Sequence, residues 1–266
     1  MAGRHTISRA SQLYRGEVDY SPYSPDGRPG LEMPALYFID FGAPATLDAD
    51  GLMAAATGTE LPNTETVTYT TADNGVSPMD GAALGSVSSV TSVNGTTYSV
   101  WTLGTPRNIT AAATHATSVV AMTITITGMD EYRERMIETL SIAATGTSQT
   151  AAGKKAFKYI ISIAVTAAAD AEANTLDIGF GDVLGLPVRL VAKKYVVSAT
   201  LDGAVDTPTL VAAVDTDPAT ATTGDVRGTV DFGTASNGTR TFSMLVHVPN
   251  TDTKAAVFGV AQYGSS

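Results

Sequence analysis

The sequence predicts an all-β protein: a β-sandwich or jelly-roll-like body preceded by an extended N-terminal arm. Three observations carry this. From Val120 to Thr127, apolar Val120, Met122, Ile124 and Ile126 alternate with Ala121 and the threonines Thr123, Thr125 and Thr127, the two-residue period of a strand with one buried face. Turn signals such as Asn94-Gly95, Gly104-Thr105-Pro106 and Asn237-Gly238 recur between short β-prone runs, the spacing of a sandwich or jelly roll. The first 45 residues are rich in proline and tyrosine and oppose any helix of useful length.

That first stretch, residues 1–45, holds Pro22, Pro25, Pro29, Pro34 and Pro44. Prolines withhold ladder donors and keep the residues before them extended. The segment therefore reads as an arm that gains order by lying on another surface; fully stretched it reaches about 150 Å. A loosely wrapped edge or an unordered tail is the other reading. Its arginines Arg4, Arg9, Arg15 and Arg28 make it less acidic than the body, and Tyr14, Tyr20, Tyr23 and Tyr37 are amphipathic anchors of the kind enriched in interfaces. These eight residues are the candidate partner-binding set.

Residues 46–108 form a β-rich first part of the body, with strands expected at Thr64–Thr71, Ser86–Val93 and Thr96–Leu103. Asn94-Gly95 marks a two-residue hairpin, and Trp101, the only tryptophan, is expected to anchor the core. Residues 109–266 form the main sandwich-like body. Here Val120–Thr127, a run with Met136, Leu140 and Ile142 on one face, and a run placing Phe157, Tyr159, Ile161, Ile163 and Val165 together read as a three-stranded meander. Met129–Ile142 also has a helical reading, with Tyr132, Met136 and Leu140 four residues apart, ranked second because its flanks are strands. Leu176, Ile178 and Phe180 begin another strand, after which Gly181–Pro187 is expected to turn the chain into Val188–Ala192. Further strands are expected at Tyr195–Leu201, Thr209–Val214, Val226–Phe232, Arg240–Val248 and Ala255–Gln262. Asn237-Gly238 should close a hairpin that turns Phe242, Met244, Val246 and Val248 to the core.

Composition narrows the chemistry. Without cysteine there are no disulfides, zinc-thiolate sites or thiol nucleophiles, and the usual mark of a secretory-pathway domain is missing. A net charge of -10 opposes a nucleic-acid partner, because gripping phosphate depends on clustered Lys and Arg. No apolar run approaches the roughly 20 residues that span a bilayer, and MAGRHTISRA lacks a signal peptide's apolar core. No membrane partner is expected, and synthesis is expected in a cytoplasm.

No catalytic, cofactor-binding or metal residues are assigned. His5, His115 and His247 are far apart in the chain, and no GxSxG elbow, P-loop or GxGxxG occurs. Asp48-Ala49-Asp50-Gly51 opens like a calcium loop, yet the twelfth place is Thr59. Asp215, Asp217 and Asp225 flank a loop and could share an ion, although solvated loop acids are the plainer reading. The chain reads as a non-enzyme.

Five segments in order, ITITGMDEYRERMIETLSIA, KKAFKYIISIAV, DIGFGDVLGLPVRL, TATTGDVRGTVDF and RTFSMLVHVPN, resemble virion structural proteins of tailed bacteriophages, in particular β-rich capsid decoration (cement) or head-surface proteins. The likeness spans roughly residues 118–262, and residues before it carry no matching motif. It implies a non-enzymatic role without cofactor on the capsid exterior, the major capsid protein as partner, self-association as a homotrimer, and arms that tie neighbouring subunits. The alternative is a receptor- or glycan-binding head fibre or tail component.

Overall fold

The computed structural model describes residues 35–58, 61–79, 87–168, 174–216, 219–248 and 257–262. The chain is all-β, in an arrangement of large antiparallel sheets consistent with a β-sandwich. Its strands are β1 (Ala35–Gly42), β2 (Asp48–Thr57), β3 (Thr66–Thr70), β4 (Ser88–Thr91), β5 (Thr97–Thr114), β6 (Met122–Met129), β7 (Arg135–Ile142), β8 (Ser148–Ala152), β9 (Phe157–Ala167) and β10 (Thr175–Gly185). They continue with β11 (Val196–Leu201), β12 (Ala204–Asp206), β13 (Thr209–Val211), β14 (Thr229–Asp231) and β15 (Phe242–Val248). An 11-stranded sheet runs in the order β13-β14-β10-β5-β9-β6-β7, with β2, β3, β4 and β8 paired off that path. A 4-stranded sheet has the order β1-β15-β11-β12.

Alternation explains the best-formed strands. Met122, Ile124 and Ile126 of β6 are buried against Met136 and Leu140 of β7 and against Trp101, Ile109 and Ile178 in the main core. Trp101 is 1% exposed, and its indole Nε1–H donates to Asn74 Oδ1 at 2.8 Å. A second apolar cluster gathers Ile39, Leu184, Val230, Phe232, Phe242, Met244 and Val246 beneath the small sheet. Burying a large aliphatic or aromatic side chain stabilises by about 1.5–3 kcal/mol relative to exposure, so these two clusters hold the fold.

Several expectations are corrected. The three central strands are not a meander: β9 pairs with β6 over Met122–Met129, and β6 lies between β7 and β9. The helical reading of Met129–Ile142 yields to strand β7, because Arg135–Ile142 finds a full antiparallel partner in β6. In β9 the register against β6 shifts between Thr127 and Gly128, whose partners are Ser162 and Ile160. The extra residue, Ile161, reverses the phase. Phe157, Ile160, Ile163 and Val165 are buried, whereas Tyr159 and Ile161 are only half-buried. Opposite this irregularity stands Gly128, where a Cβ would meet the Tyr159 carbonyl oxygen at 2.2 Å, so the close approach admits only glycine.

The Gly104-Thr105-Pro106 turn signal lies inside β5, as a break in its register with β9 between Thr102 and Arg107. Likewise β10 continues to Gly185 rather than turning at Gly181, and Val188–Ala192 is not a strand although Val188 and Leu190 are buried. Asn237-Gly238 joins strands of different sheets, because β14 pairs with β10 and β13 while β15 pairs with β1 and β11. Asn94-Gly95 sits in a three-residue loop: Ser92 N–H donates to the Thr96 carbonyl at 2.9 Å and Gly95 N–H to the Ser92 carbonyl at 3.0 Å. Residues 257–262 are not a strand. The 108/109 division falls within β5. The end of the expected arm is β1, paired with β15 from Ala35↔Val248 to Gly42↔Phe242.

The irregularity in β9 is testable by truncation. Phe157→Ala should lower unfolding free energy by about 3–5 kcal/mol. Ile161→Ala should cost about 1 kcal/mol or less, since its side chain stands on the face the shift turns outward. Chemical denaturation of both variants checks this; equal losses would restore the unbroken two-residue phase.

Candidate functional site

The small sheet has one covered face and one bare face. On the covered side Ile39 of β1, Met244 and Val246 of β15 and Ala199 of β11 are buried in the second cluster. The other side is set by the register. Leu36 stands beside His247, Phe38 beside Leu245, Leu245 beside Ser198, and Thr200 beside both Ser243 and Val205. Leu36 is 57% exposed, Phe38 63% and Val205 86%, with Val197 of the β11 register shift at 48%. Along β1, Leu36, Tyr37, Phe38, Ile39 and Phe41 are apolar or aromatic on both faces. A strand of that composition is normally covered on both sides, yet among the described residues only one side is covered. Among the described residues β1 is also an edge strand, and such an edge offers a row of backbone donors and acceptors to a further strand.

Of the predicted arm residues, Tyr37 lies in β1 and is 42% exposed. Arg4, Arg9, Tyr14, Arg15, Tyr20, Tyr23 and Arg28 lie outside the described residues. The exposed Leu36, Phe38, Val197 and Val205 are absent from the sequence-based set. The unbroken apolar run Leu36–Ile39 is the signal that could have found two of them.

Beside β1 a groove of about 170 Å³ runs between the sheets, lined among others by Asp40, Phe41, Thr105, Glu131 and Lys158. Lys158 Nζ donates to the Gly104 carbonyl, and burial holds its pKa below the ordinary lysine value against the opposing charge of Glu131. Next to it Arg107, 2% exposed, donates through Nη2 to the Ala45 carbonyl at 3.1 Å and to Ser236 Oγ at 3.0 Å. Asp182, 3.8 Å from that guanidinium, is its counterion. Burial lowers the Arg107 pKa and Asp182 partly restores it. These bonds fasten the Ala45 and Ser236 loops to β5.

A second polar cluster joins the two cores. Arg227 Nη2 reaches Asp130 Oδ2 at 2.8 Å and its Nε reaches the Leu186 carbonyl at 3.1 Å, while the guanidinium lies 5.1 Å from the centre of the Tyr132 ring. Asp130 Oδ1 accepts the amides of Tyr132 and Glu134 at 2.8 and 2.9 Å. Burial raises the Asp130 pKa, and Arg227 opposes that rise. For Arg227 burial works against the charge, but Asp225 and Asp130 outweigh it and hold the pKa above the ordinary value. Tyr132 donates from its hydroxyl to the Pro187 carbonyl at 2.7 Å; burial first, then the charge of Glu131, pushes that phenol up to about 12.

Of the aspartates considered for a shared ion, Asp225 is buried and Asp215 is exposed. Asp225, 2% exposed, accepts from Ala156 N at 3.2 Å, Arg227 N at 2.9 Å and Gln262 Nε2 at 3.2 Å. Asp215 pairs with Arg189 at the surface, and Asp217 lies outside the described residues. Among the described residues no group of three or more His, Asp or Glu is placed to hold a metal. His115 Nδ1 accepts the amides of Thr117 and Ser118 at 3.0 and 2.9 Å and so closes a turn. His247 stands on β15, half-buried beside Leu36.

Comparison with protein-family models, curated proteins and solved structures finds no match to this chain.

The two features predict opposite responses to mutation. The double variant Leu36→Ser, Phe38→Ser should leave unfolding free energy within about 0.5 kcal/mol per site while reducing fluorescence of a dye that binds apolar surface. Arg227→Ala strips a buried aspartate of its cation and should cost about 3–5 kcal/mol. Calorimetry and dye titration check both; a large melting loss in the double variant would mean that the bare face is covered within the subunit.

Proposed function

We propose that this chain is a non-enzymatic structural component of a tailed-bacteriophage virion, a capsid decoration (cement) protein that binds the outside of the major capsid lattice and stabilises the head. The observation that carries the reading is the bare face of the small sheet, with Leu36 and Phe38 exposed on an edge strand that continues directly from the segment holding the Tyr and Arg set. Exposed apolar patches of this kind mark protein contacts, and aromatic and Arg anchors dominate interface energy. The resemblance of the five segments to decoration proteins supplies the partner, and with it the reading as a homotrimer. An interface whose centre is uncharged also suits a subunit with a net charge of -10, since charged residues are depleted at interface cores. A glycan-binding appendage is the second reading: Phe38 and Tyr37 are exposed aromatics, but the only indole, Trp101, is 1% exposed.

Binding only to the assembled lattice stabilises it by about 2.7 kcal/mol per site at a free concentration 100 times Kd, and a trimer adds avidity through tethered rebinding. Particles stripped of the protein should therefore release DNA at lower temperature, and adding back the purified chain should restore the release temperature. The Leu36→Ser, Phe38→Ser variant should restore it poorly. Stripped particles that keep their heat resistance but no longer adsorb to cells would replace this reading with receptor binding.

A further inference from the structure

We propose that the joint between the two cores is a proton-linked clamp: a proton on the half-served carboxyl of Glu138 leaves Lys155 free to hold segment 257–262, and loss of that proton loosens the segment from the body. The proposal is independent of the virion reading.

The geometry begins with a charge count. Asp130, Glu138, Lys155, Asp225 and Arg227 are each at most 3% exposed, so three acids face two bases and one acid is left over. Asp130 has Arg227, and Asp225 has three donors. Glu138 is served on one side only. Its Oε1 accepts the amides of Lys154 and Lys155, the latter at 3.2 Å, while its buried Oε2 has no partner. The pocket around Oε2 is tight, because a Cβ on Gly153 would lie 2.4 Å from it. An ionised carboxylate with one oxygen stripped of water and donors is costly, and a proton removes that cost.

The groups around Glu138 come from each neighbouring element. On β6 its cross-strand neighbour is the apolar Ile126. The turn between β8 and β9 contributes Lys155, and the segment before β14 contributes Asp225. Burial pushes Glu138 up to about 7, with the Lys154 and Lys155 amides and the Lys155 charge opposing and Asp225 assisting. Burial likewise lowers Lys155. Because the folded value lies above the ordinary glutamate value, the proton's contribution to stability is complete in acid and is lost as pH rises through about 7.

The C-terminal segment is tied to the same atoms. Lys155 Nζ donates to the Gln262 carbonyl at 3.2 Å, and Gln262 Nε2 donates to Asp225. Ala219 N–H bonds to the Ala261 carbonyl at 3.0 Å, Arg189 N–H bonds to the Val257 carbonyl at 2.6 Å, and Phe258 packs edge-on against Tyr132 at 5.1 Å. When Glu138 releases its proton to solvent, the new anion at Oε2 draws the Lys155 ammonium. That attraction competes with the bond from Lys155 to Gln262.

Hydrogen exchange on the full chain reads this directly, with each rate corrected for the intrinsic pH effect. Protection of the Ala219 and Arg189 amides should fall as pH rises from about 5 to about 7, by up to about tenfold per pH unit between the ordinary glutamate value and the folded one, and level off above it, while the Ile124 amide of β6 keeps its protection. In Glu138→Gln, which keeps an oxygen for the two amides and cannot ionise, the dependence should vanish. An unchanged pH profile in that variant, or no fall in the wild type, overturns the clamp. Should the variant not fold, carbon-13 titration of the Glu138 carboxyl in the wild type decides: a midpoint near 7 supports the clamp and one below 5 overturns it.

Discussion

Strand β5 sets the constraint on which the rest of the molecule depends. It is 18 residues long, and each backbone donor and acceptor that water does not reach needs a partner. No single neighbour is long enough. Its first part pairs with β4 and, at Trp101 and Thr102, with β9; its last part has β10 on one side and β8 on the other. The exchange of partners falls around Arg107: the register with β9 breaks between Thr102 and Arg107, and that with β10 between Arg107 and Ile109. The groove, the buried Arg107 and its ties to Ala45 and Ser236 all gather at this break. An interrupted ladder leaves polar groups to satisfy, and a guanidinium with several fixed donors can satisfy carbonyls from loops as well.

The two apolar clusters are joined by charge rather than by a continuous core. A buried ion pair contributes little net stability against an apolar replacement, but it punishes any arrangement that separates its members. The link between Asp130 at the start of the β6–β7 turn and Arg227 before β14 therefore specifies how the large sheet meets the second core more than it strengthens the contact. The unpaired member, Glu138, is where specificity leaves a titratable group inside the protein.

The bare face of the small sheet belongs to the same economy. β1 reaches the second cluster through Ile39 and leaves Leu36 and Phe38 outside. Its eight residues form one edge of the 4-stranded sheet among the described residues. A partner laid on this side would cover the apolar row and could extend the sheet without disturbing the core, which is why a binding role fits the fold without any loss of packing.

Local alternation made the all-β class legible, together with the buried faces of β6, β7 and β15, because a side-chain period of two is written in consecutive residues. Trp101 as a core anchor followed from its size and solitude. Even so, alternation was blind to Glu138, which occupies an inward position between Met136 and Leu140 and is tolerated only because Lys154 and Lys155 bring amides from a distant turn. It was blind to the phase change at Ile161, since nothing in FKYIISIAV marks an irregularity that is visible only against Gly128 across the ladder. It also placed β14 and β15 in one hairpin, although pairing is decided by which backbones meet and not by which are consecutive. The sequence by itself determined which residues prefer to be strands and which of their faces are apolar. Only the tertiary structure decided the partners, the register shifts, the meeting of five buried ionisable groups and the sheet face left uncovered, because each of these depends on residues far apart in the chain arriving at the same place.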